Sequence, residues 1–221
     1  MATLSQTYRE LLADTEHRYQ DYLAVHGSQA AFGYGLTSTR LSKNAKVVLG
    51  LNWGTGKNAD INCWRHNTPP HDVPEKSWKD LTPDDLGSLV RIRSKLIQHC
   101  PDSEVIFGNV CLFRTPKASD VSNADLSLSF PVIWRLLTCI EPSLIVFLTT
   151  RVFNISEWCQ KVAGKEEFEL PFMRGAQKVE FKAIRATIQL PGREVPACYL
   201  PHPNQPLPRA VRDEAWAKIF R

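Results

Sequence analysis

Short apolar runs that stop at polar side chains recur along this chain, and they constrain its fold more than any other feature. The runs cover residues 47–51, 104–110, 144–148 and 195–200. The first is rich in β-branched residues and stops abruptly at Asn52. Runs of this length without polar alternation are typical of strands buried on both faces. They predict four strands in the middle of a layered domain.

Helical patterns lie before, between and after the predicted strands. Apolar residues at helical spacing predict a first helix over residues 5–26, with Gly27 as its stop signal. Thr82, Pro83 and Asp85 together form the start signal of a second helix. The remaining helices are predicted over residues 124–140, with an interruption at Pro131, over residues 156–162 and over residues 208–220.

Strands that alternate with helices predict an α/β fold. The specific expectation is a three-layer α/β/α sandwich around a central, mainly parallel four-stranded sheet. With 221 residues, of which 43% are hydrophobic and 23% charged, the chain has the composition of one globular domain. We therefore expect a single domain over residues 1–221, with an N-terminal helix in residues 1–30 and the core in residues 45–215.

The sequence shows no sign of a membrane segment or a metal centre. No apolar run approaches the roughly 18 residues that span a bilayer, and the first residues lack the layout of a signal peptide. The six cysteines are scattered, with no CxxC pair and no Cys/His cluster at metal-ligand spacing. We expect a cytoplasmic monomer with reduced thiols, no membrane contact, no metal and no cofactor.

Polar residues at the predicted strand ends indicate where a ligand would bind. Ligands of parallel α/β sheets bind beyond the carboxyl ends of the strands, and Asn52, Asn109 and His202 stand at or just after three of these ends. Taken alone, Asn52 is typical of a turn, and Asn109 can be a structural amide. His202 lies between Pro201 and Pro203, which restrict the backbone and so aim the ring.

Four segments around these strand ends share a resemblance. They are GLNWG at 50–54, FGNVCLFRTP at 107–116, EPSLIVFLTTRVF at 141–153 and LPHPNQPLPR at 200–209. In this order they resemble the motifs of the uracil-DNA glycosylase superfamily, especially its mismatch-specific and single-strand-selective branches. Trp53 stands where those branches have proline, and Asn204 stands where serine is usual. These two departures leave open which base the protein acts on.

The resemblance implies roles for the residues at the strand ends. Asn52 would place the attacking water, and His202 would donate a hydrogen bond to the departing base, so these two are the expected catalytic residues. Asn109 would read the edge of a pyrimidine that has been swung out of the DNA stack, because an amide offers both a donor and an acceptor.

The same resemblance implies a base pocket and a DNA-binding surface. Trp64 is the first choice for the aromatic that stacks on the base, Trp53 is its rival, and Gly54 completes the pocket. Leu207 would enter the gap left by the base, or else pack the last helix. The formal net charge is +4, and cations gather around the strand ends. The expected DNA-binding residues are Lys57, Arg65, Arg114, Asn204, Leu207 and Arg209.

We therefore expect a monofunctional DNA N-glycosylase, in which water rather than a lysine attacks the sugar and an abasic site remains. Its partner is DNA, single- or double-stranded. The base is a uracil-type pyrimidine or a bulky phage-modified cytosine such as glucosylated hydroxymethylcytosine, the latter implying anti-phage defence. One alternative is a catalytically inactive nucleic-acid-binding module with this fold. Another is a flavodoxin-like enzyme for a small molecule, without DNA affinity.

Overall fold

A computed structural model describes residues 3–27, 31, 33–52, 73–99, 101–115 and 117–220. The strands are β1 Lys46–Gly50, β2 Val105–Asn109, β3 Leu144–Phe147, β4 Val162–Arg174, β5 Gln177–Leu190 and β6 Arg193–Tyr199. The helices are α1 Leu4–His26, α2 Pro83–Leu86, α3 Val90–His99, α4 Asn123–Ile140, α5 Ser156–Cys159 and α6 Arg209–Ile219. The α/β class predicted from the sequence is confirmed.

The strands form one sheet in the order β2-β1-β3-β6-β5-β4. Strands β2, β1, β3 and β6 are parallel, and they are the four predicted strands. Strands β5 and β4 extend the sheet in antiparallel fashion. The prediction of a four-stranded sheet is therefore wrong, because the sheet is mixed and has six strands.

The two additional strands differ from the predicted ones in their residue pattern. In β5, buried Phe181 and Ala183 flank exposed Lys182, so one face of the strand is apolar and the other polar. Most residues of β4 are exposed. Antiparallel strands with one solvated face show this alternation, whereas the buried parallel strands form continuous apolar runs.

Alternate residues of the parallel strands face two separate hydrophobic layers. In β1, Val47 and Leu49 pack in the layer that contains α1 and α4, whereas Val48 packs in the layer that contains α3 and α6. Strands β2 and β3 alternate in the same way. Side chains of a strand point to opposite faces in turn, so the parallel part of the sheet is covered on both sides, as predicted.

The first helix follows the sequence prediction closely. It spans Leu4–His26, and the Thr3 side chain caps it by accepting from the Gln6 N–H at 3.2 Å. Gly27 ends it with φ 80°, a conformation that favours glycine. Among the described residues, no helix combines the length and the apolar character that crossing a membrane requires.

Three helix boundaries differ from the predictions. Helix α4 continues through Pro131, whose ring is exposed, so the interruption is absent. Helix α5 ends at Cys159, because Val162 already pairs with Ile188 of β5. The second predicted helix is divided by the 3₁₀ turn Gly87–Leu89, which lies between α2 and α3. The closing helix α6 matches its prediction to within one residue at each end.

Candidate active site

The carboxyl ends of the four parallel strands meet at one edge of the sheet. Gly50 of β1 pairs with Asn109 of β2, and Phe147 of β3 pairs with Tyr199 of β6. Because neighbouring strands are about 4.8 Å apart, the ends of β1 and β6, which flank β3, lie about 10 Å apart. The segments that carry Asn52 and His202 therefore leave the same edge of the sheet.

Asn109 is the last residue of β2, and its side chain lies against the backbone of β1. It is 8% exposed. A methyl group built on Gly50 would collide with the Asn109 Oδ1, so that oxygen sits directly over the glycine. Within the part of the chain that the structure describes, the Asn109 amide forms no side-chain hydrogen bond. The amide can therefore donate to and accept from a ligand that reaches this strand end.

Gly50→Ala is expected to displace the Asn109 amide without changing Asn109 itself. The new methyl group would push the Asn109 amide out of its position, while the strand itself could keep its extended backbone. We expect a loss of stability of about 1–3 kcal/mol, because a methyl group is added to a packed interior, and a loss of ligand binding equal to that of Asn109→Ala. Urea unfolding and DNA-binding titrations of both variants check this. A Gly50→Ala protein that binds like the wild type would contradict it.

Asn52 follows β1 and is held in one orientation by Thr115. Its Nδ2 donates to the Thr115 Oγ1 at 2.7 Å, and that hydroxyl in turn donates to the Lys117 carbonyl at 2.8 Å. Thr115 is fully buried. Because the hydroxyl proton is already used, Thr115 can only accept from Asn52, which fixes the amide with Nδ2 toward the protein. The Asn52 Oδ1 is thereby left to accept a hydrogen bond from a ligand or water.

His202 lies in the segment between β6 and α6, and its ring has a defined tautomer. Its Nδ1 accepts from the Asn204 backbone N–H at 3.1 Å. A neutral imidazole that accepts at Nδ1 carries its proton at Nε2. Burial, and then the nearby Arg212 guanidinium, lower the pKa of His202 below its ordinary value of 6.5. The ring is therefore neutral at pH 7, with Nε2–H as a donor.

Two arginines hold the His202 segment in place. Arg212 of α6 donates to the His202 carbonyl at 3.0 Å and also to the carbonyls of Gln205 and Leu207. Arg91 of α3 donates to the Pro203 carbonyl at 3.4 Å. The carbonyls of His202 and Gln205 also accept backbone N–H groups within the turn, so the arginines add a second hydrogen bond to each. Side chains from α3 and α6 thus hold the backbone around His202 in place.

The lowered pKa of His202 gives a pH dependence of stability. Since the folded-state pKa lies below the unfolded value, the unfolded chain binds the proton more strongly, and acid favours unfolding. The free energy of unfolding should therefore fall as the pH drops below 6.5, and His202→Gln should reduce this slope. Urea unfolding from pH 5 to pH 8 measures both slopes. His99, whose pKa is also lowered by burial, is present in both proteins and contributes equally to both slopes. Identical slopes would therefore contradict the prediction for His202.

A 3₁₀ turn follows the end of β3, and its residues form hydrogen bonds with neighbouring segments. Thr149 caps the 3₁₀ turn Thr150–Asn154 by accepting from the Arg151 N–H at 3.2 Å. The Arg151 guanidinium donates to the Val121 carbonyl and to the Asn123 side chain. The arginine at this strand end thus connects two neighbouring segments.

The predicted DNA-binding residues that the structure describes fall into two groups. Asn204 is exposed, and the Arg209 side chain is 95% exposed beside Asp213. Leu207 is partly buried against the core layer of α6, which favours its packing role over the wedge role. Arg114 is partly buried, and burial lowers the pKa of its guanidinium. Asn204 and Arg209 are thus the better placed of the four to contact phosphates.

The remaining predicted residues of the site lie outside the described part of the chain. These are Trp53, Gly54, Lys57, Trp64 and Arg65. The identity of the stacking aromatic therefore stays a prediction.

Residues that support the site were not among those predicted from the sequence. Gly50 and Thr115 lie inside the quoted motifs, but their roles depend on the pairing of β1 with β2 and on the path of the chain after β2. Arg91 is 112 residues away from the carbonyl it contacts, and no local pattern marks it. Only the folded arrangement identifies these three.

The sequence matches no protein-family model, and a search of curated proteins finds no match to it. Within the described ranges, no three His, Cys, Asp or Glu side chains form a group that could hold a metal ion. The chemistry of Asn52, Asn109 and His202 therefore indicates what the site can do.

Proposed function

We propose that this chain is a DNA glycosylase related to the uracil-DNA glycosylase superfamily, which excises a base that it has swung out of DNA. One observation carries the proposal. Asn52, Asn109 and His202 lie at or just beyond the carboxyl ends of parallel strands that end at one edge of the sheet. Each of the three has a hydrogen-bonding atom without a partner among the described residues: Oδ1 of Asn52, the amide of Asn109 and Nε2–H of His202.

Asn52 is suited to positioning the attacking water. Its Oδ1 would accept a hydrogen bond from a water molecule, and the water oxygen would bond to C1′ of the sugar as the bond between C1′ and the base breaks. The electron pair of that bond leaves with the base, and the water releases one proton to solvent, so that a hydroxyl group remains on C1′. Because Thr115 fixes the amide before the substrate arrives, little of the orientation cost falls on the reaction itself.

His202 is suited to stabilising the departing base. Negative charge develops on the pyrimidine O2 as the bond to C1′ breaks. A hydrogen bond from the neutral Nε2–H to this oxygen is therefore strongest in the transition state. A neutral donor also avoids repelling the cationic sugar. The hydrogen bond from Asn204 to Nδ1 keeps the proton on the required nitrogen.

Asn109 is suited to reading the base. Its amide offers one acceptor and two donor hydrogens, which match the alternating groups on the edge of a pyrimidine. The closeness of its Oδ1 to Gly50 limits its rotation. A base that presents the wrong pattern would leave this nearly buried amide without a partner, and such a mismatch discriminates strongly between substrates.

The described strand-end segments carry no carboxylate, which bears on the choice of substrate. No aspartate or glutamate occurs at 51–52, 110–115, 148–150 or 200–208, so these segments place no carboxylate beside a cationic sugar. A base that is a good leaving group needs less electrostatic stabilisation of the cationic sugar. Uracil-type pyrimidines and bulky modified cytosines such as glucosylated hydroxymethylcytosine are both included in the proposal.

The proposal is tested by incubating the protein with oligonucleotides that each carry one candidate base, as single strands and as duplexes. Alkali then cleaves every abasic site, and gel electrophoresis detects the shorter strand. We expect cleavage with at least one base and no covalent adduct after borohydride treatment, because water is the attacking group. Salt-sensitive binding without cleavage would instead favour the inactive binding module, and the absence of both would overturn the proposal.

A further inference from the structure

A cavity of about 450 Å³ lies between α3, α6 and the segment that carries His202. Its volume is within the range of small-molecule sites, about 300–1,000 Å³. Part of its wall is apolar and includes Trp216 and Leu207. His202 itself is not among the residues that line the cavity.

The charged residues of this cavity are mostly cations. Among the described residues, its lining includes Arg91, Lys95, Arg209 and Arg212, against a single carboxylate, Asp213. Lys95 and Arg209 share that carboxylate, at 2.8 Å and 3.7 Å. This leaves the two other cations without a carboxylate in the lining.

Arg91 and Arg212 are close enough to repel each other. Burial, and then the charge of Arg91, lower the pKa of Arg212. The hydrogen bonds of Arg91 to the Pro203 carbonyl and to the Asn204 Oδ1 are long, at 3.4 Å and 3.5 Å. An anion that bridged the two guanidinium groups would replace this repulsion by two charge-assisted contacts.

The geometry points to a phosphate-binding site in this cavity, with Arg91, Lys95, Arg209 and Arg212 around the phosphate and the wall of Trp216 and Leu207 beside an attached organic group. Arginine and lysine side chains are the usual protein partners of phosphate. The phosphate belongs either to a free nucleotide or to the backbone of a nucleic acid. The site does not depend on base excision.

Occupation of this site would also stabilise the His202 segment. Arg91 and Arg212 contact the cavity and at the same time donate to the carbonyls of Pro203 and His202. A bound phosphate would hold both arginines in place and so reduce the motion of the segment they support. Binding to the cavity is thus coupled to the position of the His202 ring.

The test is isothermal titration calorimetry with thymidine 5′-monophosphate, thymidine and a twelve-residue oligothymidine without terminal phosphate. We expect the monophosphate, the oligonucleotide or both to bind more tightly than thymidine. The double variant Arg91→Gln/Lys95→Gln should weaken this binding by about tenfold or more, since it removes two of the cations around the phosphate. Loss with the monophosphate identifies a free nucleotide as the ligand, and loss with the oligonucleotide alone identifies the backbone.

Two further variants control for general effects of charge and of folding. Lys178→Gln removes the same charge from an exposed position of β5, outside the cavity lining, and should leave binding unchanged. Arg209→Gln alters a side chain that is 95% exposed, so it should weaken binding without affecting the fold. Binding of both phosphate probes that is unchanged by Arg91→Gln/Lys95→Gln and by Arg209→Gln would overturn the inference, as would the absence of binding to the wild type.

Discussion

Replacing Asn52 by alanine should lower the rate of base release at least about a hundredfold and leave the fold intact. The side chain is only partly buried, and the described residue that it bonds is Thr115. Its loss therefore costs little stability, but it removes the acceptor that places the attacking water. The rate of abasic-site formation under single-turnover conditions measures the first effect, and the free energy of unfolding measures the second.

Two further variants test the orientation of the Asn52 amide and the specificity of its effect. Thr115→Val keeps the Asn52 amide but removes the hydroxyl that orients it, so we expect a rate between those of the wild type and Asn52→Ala. Asn154→Ala removes an exposed asparagine of the 3₁₀ turn after β3 and should not change the rate. Base release by Asn52→Ala at the wild-type rate would show that water is placed by another group.

Replacing His202 by alanine should also lower the rate at least about a hundredfold, mainly through the chemical step. The Nε2–H donor acts on charge that appears only in the transition state, so binding of the intact substrate should change little. His202→Gln, which offers a donor in a different position, should recover part of the rate. Single-turnover rates and substrate dissociation constants separate the two effects.

His17→Ala serves as the matched control, because the His17 side chain is 78% exposed on α1 and far along the chain from the strand ends. It should leave rate and binding unchanged. If His202→Ala weakened substrate binding and left the single-turnover rate at saturating protein unchanged, the ring would contribute to uniform binding rather than to the transition state, and its proposed role would be wrong.

The parallel part of the fold could be predicted from the sequence because burial on both faces leaves a strong pattern. Each of the four predicted strands is a continuous apolar run, and the structure places all four side by side. The β4–β5 hairpin could not be found in this way, since its strands alternate between apolar and charged residues. Its best signal was the regular alternation over residues 177–190 with glycines at 175 and 192, which is typical of an antiparallel hairpin.

The candidate site was predictable in part for the same reason. Asn52, Asn109 and His202 stand at or just after buried strands, and the carboxyl ends of parallel strands lie at one edge of a sheet, so the sequence predicts that the three share that edge. The contacts that orient them were not predictable, because they join residues that are distant in sequence. The Asn52 amide is held by Thr115, 63 residues away, and the His202 segment is held by Arg91. Such pairs follow from the packing of helices and loops, which no local pattern encodes.

The proposed function requires that the carboxyl edge of the sheet bind an extruded base and that two neutral side chains promote cleavage of its bond to the sugar. Mass spectrometry of the free base released from an oligonucleotide substrate, with the abasic strand quantified in the same sample, tests this requirement. We expect equal amounts of free base and abasic strand with the wild type, and neither product with folded Asn52→Ala/His202→Ala. Equal release by this double variant, or no release of any candidate base by the wild type, would contradict it.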